Sequence, residues 1–160
     1  MLRPSDRALL LFAWASGGRR RFEVAVARIP QLTKVGERGY LHRLGPTKTN
    51  QDGRDRQGAT PDKPIRGRAA VALRDWLASS RISDGPIFRR LWKSTVGPAL
   101  SPAAVGEIVR KRARLAGLEG DWGGHSLRSG FVTEAGRRNI PIGDVMAMTE
   151  HRKVDTVLGY

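Results

Sequence analysis

Between Gln31 and Pro64 the chain carries text that a helix cannot use. Short β-prone pieces, around Thr33–Val35 and Gly39–Leu44, alternate with turn-rich stretches such as NQDGRDRQG. Gly, Asn and Asp in such clusters supply left-handed backbone and local side-chain turns, so the segment reads as strands joined by polar loops. On both sides the apolar residues return to the helical period. Helices before and after a short strand-rich middle predict an α+β domain, mostly helical, with a small antiparallel sheet inserted after the second helix.

The flanks supply the detail. Ser5 or Asp6 is suited to cap a helix from about Arg7 that turns Leu9, Leu10, Leu11, Phe12 and Trp14 inward and ends at Gly17-Gly18. A second helix runs from about Arg19 to Val26 and is stopped by Pro30. From Arg66 to Ser80 the period is again 3.6, with Val71, Leu73, Trp76 and Leu77 as inward candidates, and Pro86 to Pro98 reads as irregular. Ser101-Pro102 is a strong helix start, Ser as N-cap and Pro at the first helical position. That helix ends near Gly117 and carries a basic face of Arg110, Lys111, Arg112 and Arg114. Two more follow, Ser126 to about Ala135 and Ile142 to about Glu150, and a short one holds Val154 to Tyr160.

Composition narrows the function classes. A chain of 160 residues is one domain by size, read here as residues 1–160, and can bury a real core. Without cysteine it has no disulfide framework, thiolate nucleophile or cysteine metal site. No apolar run approaches the roughly 18 residues of a membrane span, so the expectation is a cytoplasmic protein that does not enter a membrane. The charge is unusual: 29 Lys+Arg against 15 Asp+Glu give +14. That excess favours a polyanion as partner, nucleic acid first and an anionic membrane surface second.

Four phrases carry possible chemistry. In GGHSLRSGF, His125 and Arg128 are three apart at a helix start, where backbone N–H groups, an imidazole and a guanidinium fork suit a phosphate oxygen. In GGRRRFEV, Glu23 follows three arginines and offers an ion pair that a solvated basic run does not need. In GPTKTNQDG, Lys48 stands just before a turn-rich loop, at the expected tip of a β-hairpin. In EHRKVDTVLGY, Tyr160 lies nine residues after His151. Each phrase alone is unspecific.

Taken in order, Arg20, Lys48, His125, Arg128, His151 and Tyr160 resemble the catalytic set of the tyrosine recombinases, the phage-integrase family, over nearly the whole chain. The resemblance implies site-specific recombination or integration of double-stranded DNA, with strands cut and rejoined through a 3′-phosphotyrosyl intermediate that needs neither metal nor ATP. It makes Tyr160 the nucleophile, Arg20 and Arg128 the forks that bind the DNA phosphate, and His125 an aid to proton transfer. His151 would donate to the phosphate, and Lys48, also touching DNA, would protonate the leaving 5′-oxygen. It implies no cofactor, and a homo-oligomer on DNA (a tetramer in the full-length family pattern) formed from monomers.

The resemblance is not uniform. Arg19 and Arg21 flank Arg20, so the register rests on the three-residue spacing to Glu23. Lys34 and Lys63 compete with Lys48, and Glu150 stands where the family often has glycine. The family also adds a DNA-clamping domain before this region and a docking helix after the tyrosine, so the expectation is a catalytic domain without either. The alternatives are a non-catalytic basic DNA-binding module, truncated or degenerate, and a metal-dependent nuclease, for which His42, His125 and His151 are too scattered in sequence.

Overall fold

The computed structural model describes residues 2–45, 62–93 and 95–160. Helices α1 (Pro4–Ala15) and α2 (Arg21–Val26) lead into a 3-10 turn at Ile29–Gln31 and strands β1 (Leu32–Val35), β2 (Gly39–Arg43) and β3 (Asp62–Arg66). Then come α3 (Gly67–Ser80), β4 (Arg89–Trp92), β5 (Thr95–Ala99), α4 (Pro102–Leu115), α5 (Ser126–Arg137), α6 (Ile142–Thr149) and α7 (Val154–Leu158). The inserted sheet is antiparallel in the order β1-β2-β3, and β4 pairs with β5 in a separate two-stranded ribbon. Among the described residues no helix is long and apolar enough to cross a membrane.

The main core follows from the helical stripes. Leu9 and Phe12 of α1, Val24 of α2, Ile65 of β3, Leu73 and Trp76 of α3, Ile87, Phe88 and Val105 are all essentially buried. Each such side chain contributes about 1.5–3 kcal/mol by leaving water. The indole N–H of Trp76 donates to the Ile87 carbonyl at 2.8 Å, so the largest buried ring carries no unpaired donor. A second, smaller cluster joins α5, α6 and α7 through Val132, Ala135, Val145 and Val157. Trp14 of α1 meets Phe131 of α5 edge-on at 5.9 Å, and Phe131 packs on this second cluster. The segment that ends in Tyr160 is thereby packed onto α5 and α6.

Several local expectations change. The first helix starts at Pro4, with proline in the first turn, and Asp6 is no cap: its carboxylate accepts from Arg112 Nη2 at 2.5 Å. That pairing removes Arg112 from the basic face of α4, and Arg110 is paired with Glu107. Val71 points outward, 39% exposed. The region from Pro86 to Pro98, read as irregular, contains the β4–β5 ribbon. Pro98 in β5 and Pro64 in β3 disguised both strands, but each lies in an edge strand, where a missing N–H costs no ladder bond on the outer side. Ser101 is the cap its sequence promised, accepting from the Ala104 N–H at 3.1 Å.

Candidate active site

The site forms where three stretches meet: the Gly17–Arg20 loop, the start of α5 and the end of α6. Two glycines allow the approach. Gly17 has φ +99°, and a β-carbon there would lie 2.2 Å from the Met148 carbonyl oxygen. Gly18 has φ +66°, and its β-carbon would lie 2.6 Å from the Arg128 Cα. Both conformations and both contacts need glycine.

Arg128, in the first turn of α5, is 2% exposed. Its Nη2 donates to the Thr149 carbonyl at 2.5 Å, and its Nε donates to His151 Nε2 at 3.3 Å. His151 Nδ1 lies 2.7 Å from Thr149 Oγ1, whose own hydrogen goes to the Val145 carbonyl at 2.8 Å. The directions are therefore fixed along the chain: Arg128 donates to His151 Nε2, and the His151 Nδ1–H donates to Thr149. The imidazole is held neutral in one tautomer. Burial, and then the charges of Arg128, Arg20, Arg19 and His125, push its pKa down to about 4. Arg128 is itself lowered to about 10 by burial and by the neighbouring Arg19 and Arg20, and so stays cationic at neutral pH.

Tyr160 closes the set. Its hydroxyl is 2.9 Å from His125 Nε2, and its ring lies 5.7 Å, centre to centre, from both His125 and His151. Tyr160 is 39% exposed, so its hydroxyl group is reachable from outside. An imidazole in this position can take the phenolic proton.

The three arginines of the second phrase separate clearly. Arg21 is exposed. Arg20 caps α2: its backbone N–H donates to Glu23 Oε2 at 2.8 Å, and its side chain, partly exposed, adds positive charge beside Arg128 and His151. Arg19 is the one Glu23 pairs with, at 3.8 Å, and it is 1% exposed, with Nη2 donating to the Met148 carbonyl at 2.5 Å. Burial lowers the Arg19 pKa, while Glu23 and Glu150 pull it back. Arg19 Nε and Nη1 and Arg128 Nη1 are buried without a hydrogen-bond partner among the described residues. Two adjacent buried guanidiniums with unspent donors make a site for an oxyanion.

The arrangement therefore gathers Arg20, His125, Arg128, His151 and Tyr160. Lys48 lies outside the described residues. Sequence reading passed over Arg19, a register neighbour of Arg20, and Lys63, a competing lysine; both are buried at the same helix end. The only signal for Arg19 was Glu23, four residues on, and Lys63, in the polar text PDKPIRG, had none.

No protein-family model matches the chain. An integrase/recombinase of Selenomonas ruminantium, a xerD homologue, is 35% identical over 159 residues, which make up 97% of this chain and 46% of that protein. The putative integrase/recombinase y4rF of Sinorhizobium fredii is 30% identical over 159 residues, 97% of this chain and 34% of that one. The fold is that of the XerH site-specific recombinase in its post-cleavage complex with palindromic difH substrate, with a TM-score of 0.74 at 19% identity over 98% of this chain and 41% of XerH. XerA recombinase gives a TM-score of 0.69 at 16% identity over 99% of this chain and 58% of XerA.

The chain has the fold of a tyrosine-recombinase catalytic domain. It spans less than half the length of the curated relatives it matches. Within this fold the small sheet follows α2, and α5, α6 and α7 carry the later motifs, in the order the sequence led one to expect.

Proposed function

We propose that this domain cuts and rejoins double-stranded DNA, with Tyr160 as nucleophile, in site-specific recombination or integration. The observation that carries the reading is the 2.9 Å contact between the Tyr160 hydroxyl and His125 Nε2, made beside the Arg128–His151 pair. A phenol with a pKa of about 10 is a poor nucleophile at neutral pH and needs a base at hand.

In this scheme His125 Nε2 takes the phenolic proton as the Tyr160 oxygen attacks phosphorus. The bond from phosphorus to the 5′-oxygen breaks, and Lys48 gives that oxygen a proton. The product is a 3′-phosphotyrosyl ester and a free 5′-hydroxyl, and the reverse attack by a 5′-hydroxyl rejoins the strand without ATP. Negative charge on the non-bridging oxygens meets Arg20 and Arg128, whose forks match it without a metal. A phosphate oxygen is a stronger acceptor than an imidazole nitrogen, so on binding it takes over the Arg128 Nε–H. That frees His151 Nε2 to acquire a proton and donate to the same phosphate. Recombination between two duplexes calls for several copies on DNA, and the family's tetramer is the assembly we propose.

A nicked duplex from which the 5′-hydroxyl fragment escapes tests the scheme. The chain should form a covalent protein–DNA product, unaffected by EDTA and absent in Tyr160→Phe. Salt-sensitive binding with no covalent product would instead identify a basic DNA-binding module. DNA cleavage that leaves no covalent product and is abolished by EDTA would identify a metal-dependent nuclease.

A further inference from the structure

The last turn of α6 is held by three buried cations from three distant elements. Lys63 Nζ of β3 donates to the Ala147 carbonyl at 2.6 Å, Arg19 donates to Met148, and Arg128 donates to Thr149. These consecutive carbonyls lie at the negative end of a helix, where the last C=O groups have no partner within the helix. Arg128 belongs to the site already described. Lys63 does not, and it is 2% exposed, on the same inward face of β3 as Ile65.

Lys63 Nζ also donates to Glu150 Oε1 at 2.6 Å. Glu150 directly precedes His151 and has φ +62°, a left-handed conformation unfavourable to any residue with a β-carbon. A buried ion pair is weak evidence of a stability role, because apolar replacements of the same volume are often as stable or more so. Both the lysine on the core face and the glutamate at positive φ are therefore costly ways to hold a fold. They are effective ways to hold a geometry: Lys63 grips the turn on both sides of Met148 and Thr149, and Thr149 and His151 are the residues whose hydrogen-bond chain ends on Arg128.

We propose that Lys63 is a positioning residue of the site, fixing through the Ala147 carbonyl and the Glu150 carboxylate the turn that sets the orientation of His151. Its catalytic consequence rests on the proposed role of His151 at the phosphate. Its structural consequence does not, since the tautomer of His151 can be read without DNA.

The test uses 15N-histidine NMR of the whole chain together with single-turnover cleavage of the nicked duplex at saturating protein. In the wild type His151 should show the Nδ1–H tautomer. In Lys63→Met it should shift to a mixture with Nε2–H, and cleavage should slow about ten- to hundredfold, with DNA affinity held within about threefold. Because Lys63→Met leaves Glu150 unpaired and risks unfolding, the double variant Lys63→Met/Glu150→Gly carries the decision. It should melt near the wild-type temperature yet keep the altered tautomer and the slow cleavage. Wild-type His151 signals in that folded double variant would overturn the proposal. So would failure of the double variant to fold, since the pair would then be holding the domain rather than the turn. If the wild type itself gives no covalent product, the catalytic reading falls while the tautomer comparison still decides the positioning role.

Discussion

His42 and His151 are both driven to a pKa of about 4, but for different purposes. His151 spends both ring nitrogens, one accepting from Arg128 and one donating to Thr149. His42 is 3% exposed, meets Phe12 edge-on at 4.9 Å, and has no hydrogen-bond partner for either nitrogen among the described residues. Burial is its first cause and the nearby Arg19 charge the second. In both cases the folded value lies below the ordinary 6.5 of an unfolded chain, so the folded form binds fewer protons as the pH drops. Each histidine contributes stability that is complete above about pH 6.5 and is lost progressively as the pH falls towards 4. Thermal melts from pH 7.5 to 4 should show the midpoint falling across that window. In His42→Leu the fall should be roughly halved, and the midpoint at pH 7.5 should be no lower, because an unpaired buried polar ring has been replaced by an apolar group. Equal slopes in the two proteins would show that His42 is not neutral in the fold.

The elements that matter most are the shortest. The Gly17–Gly18 loop lets Arg19 reach the end of α6, and its backbone is pressed against a carbonyl that cannot swing away as a side-chain tip can. Gly17→Ala should destabilise the domain by more than about 2 kcal/mol in urea titration, since it adds strain at positive φ to a clash with backbone. A change within about 0.5 kcal/mol, the usual range for surface positions, would mean that the loop does not pack as described. Helices were the legible elements: α3, α4, α5 and α6 lie close to where their apolar spacing and caps put them. Strands were less legible, because Pro64 and Pro98 read as breaks until the sheet order shows them on edges. Asp6, plausible as a cap, was claimed instead by Arg112, a partner 106 residues away that no local pattern discloses.

For the molecule as a whole, the +14 charge favours a polyanion as partner. If that partner is duplex DNA, binding should weaken linearly on a log–log salt plot, with a slope of about −5 for some six phosphates neutralised. Salt-independent affinity would remove charge as the basis of recognition. Motif order and spacing made Arg20, His125, Arg128, His151 and Tyr160 legible as a set, because four phrases in register are far rarer than any one of them. Arg19 and Lys63 stayed hidden, because their meaning lies in the carbonyls they reach, and those depend on how β3, α2 and α6 come together. The chain has two tyrosines: Tyr40, in β2, and Tyr160. Nuclease digestion of the trapped complex, followed by peptide mass spectrometry, identifies the nucleophile. A nucleotide esterified to Tyr160 and to no other residue is the expected result. A nucleotide on Tyr40 or on a serine or histidine, or none on any residue while DNA is bound, would contradict it.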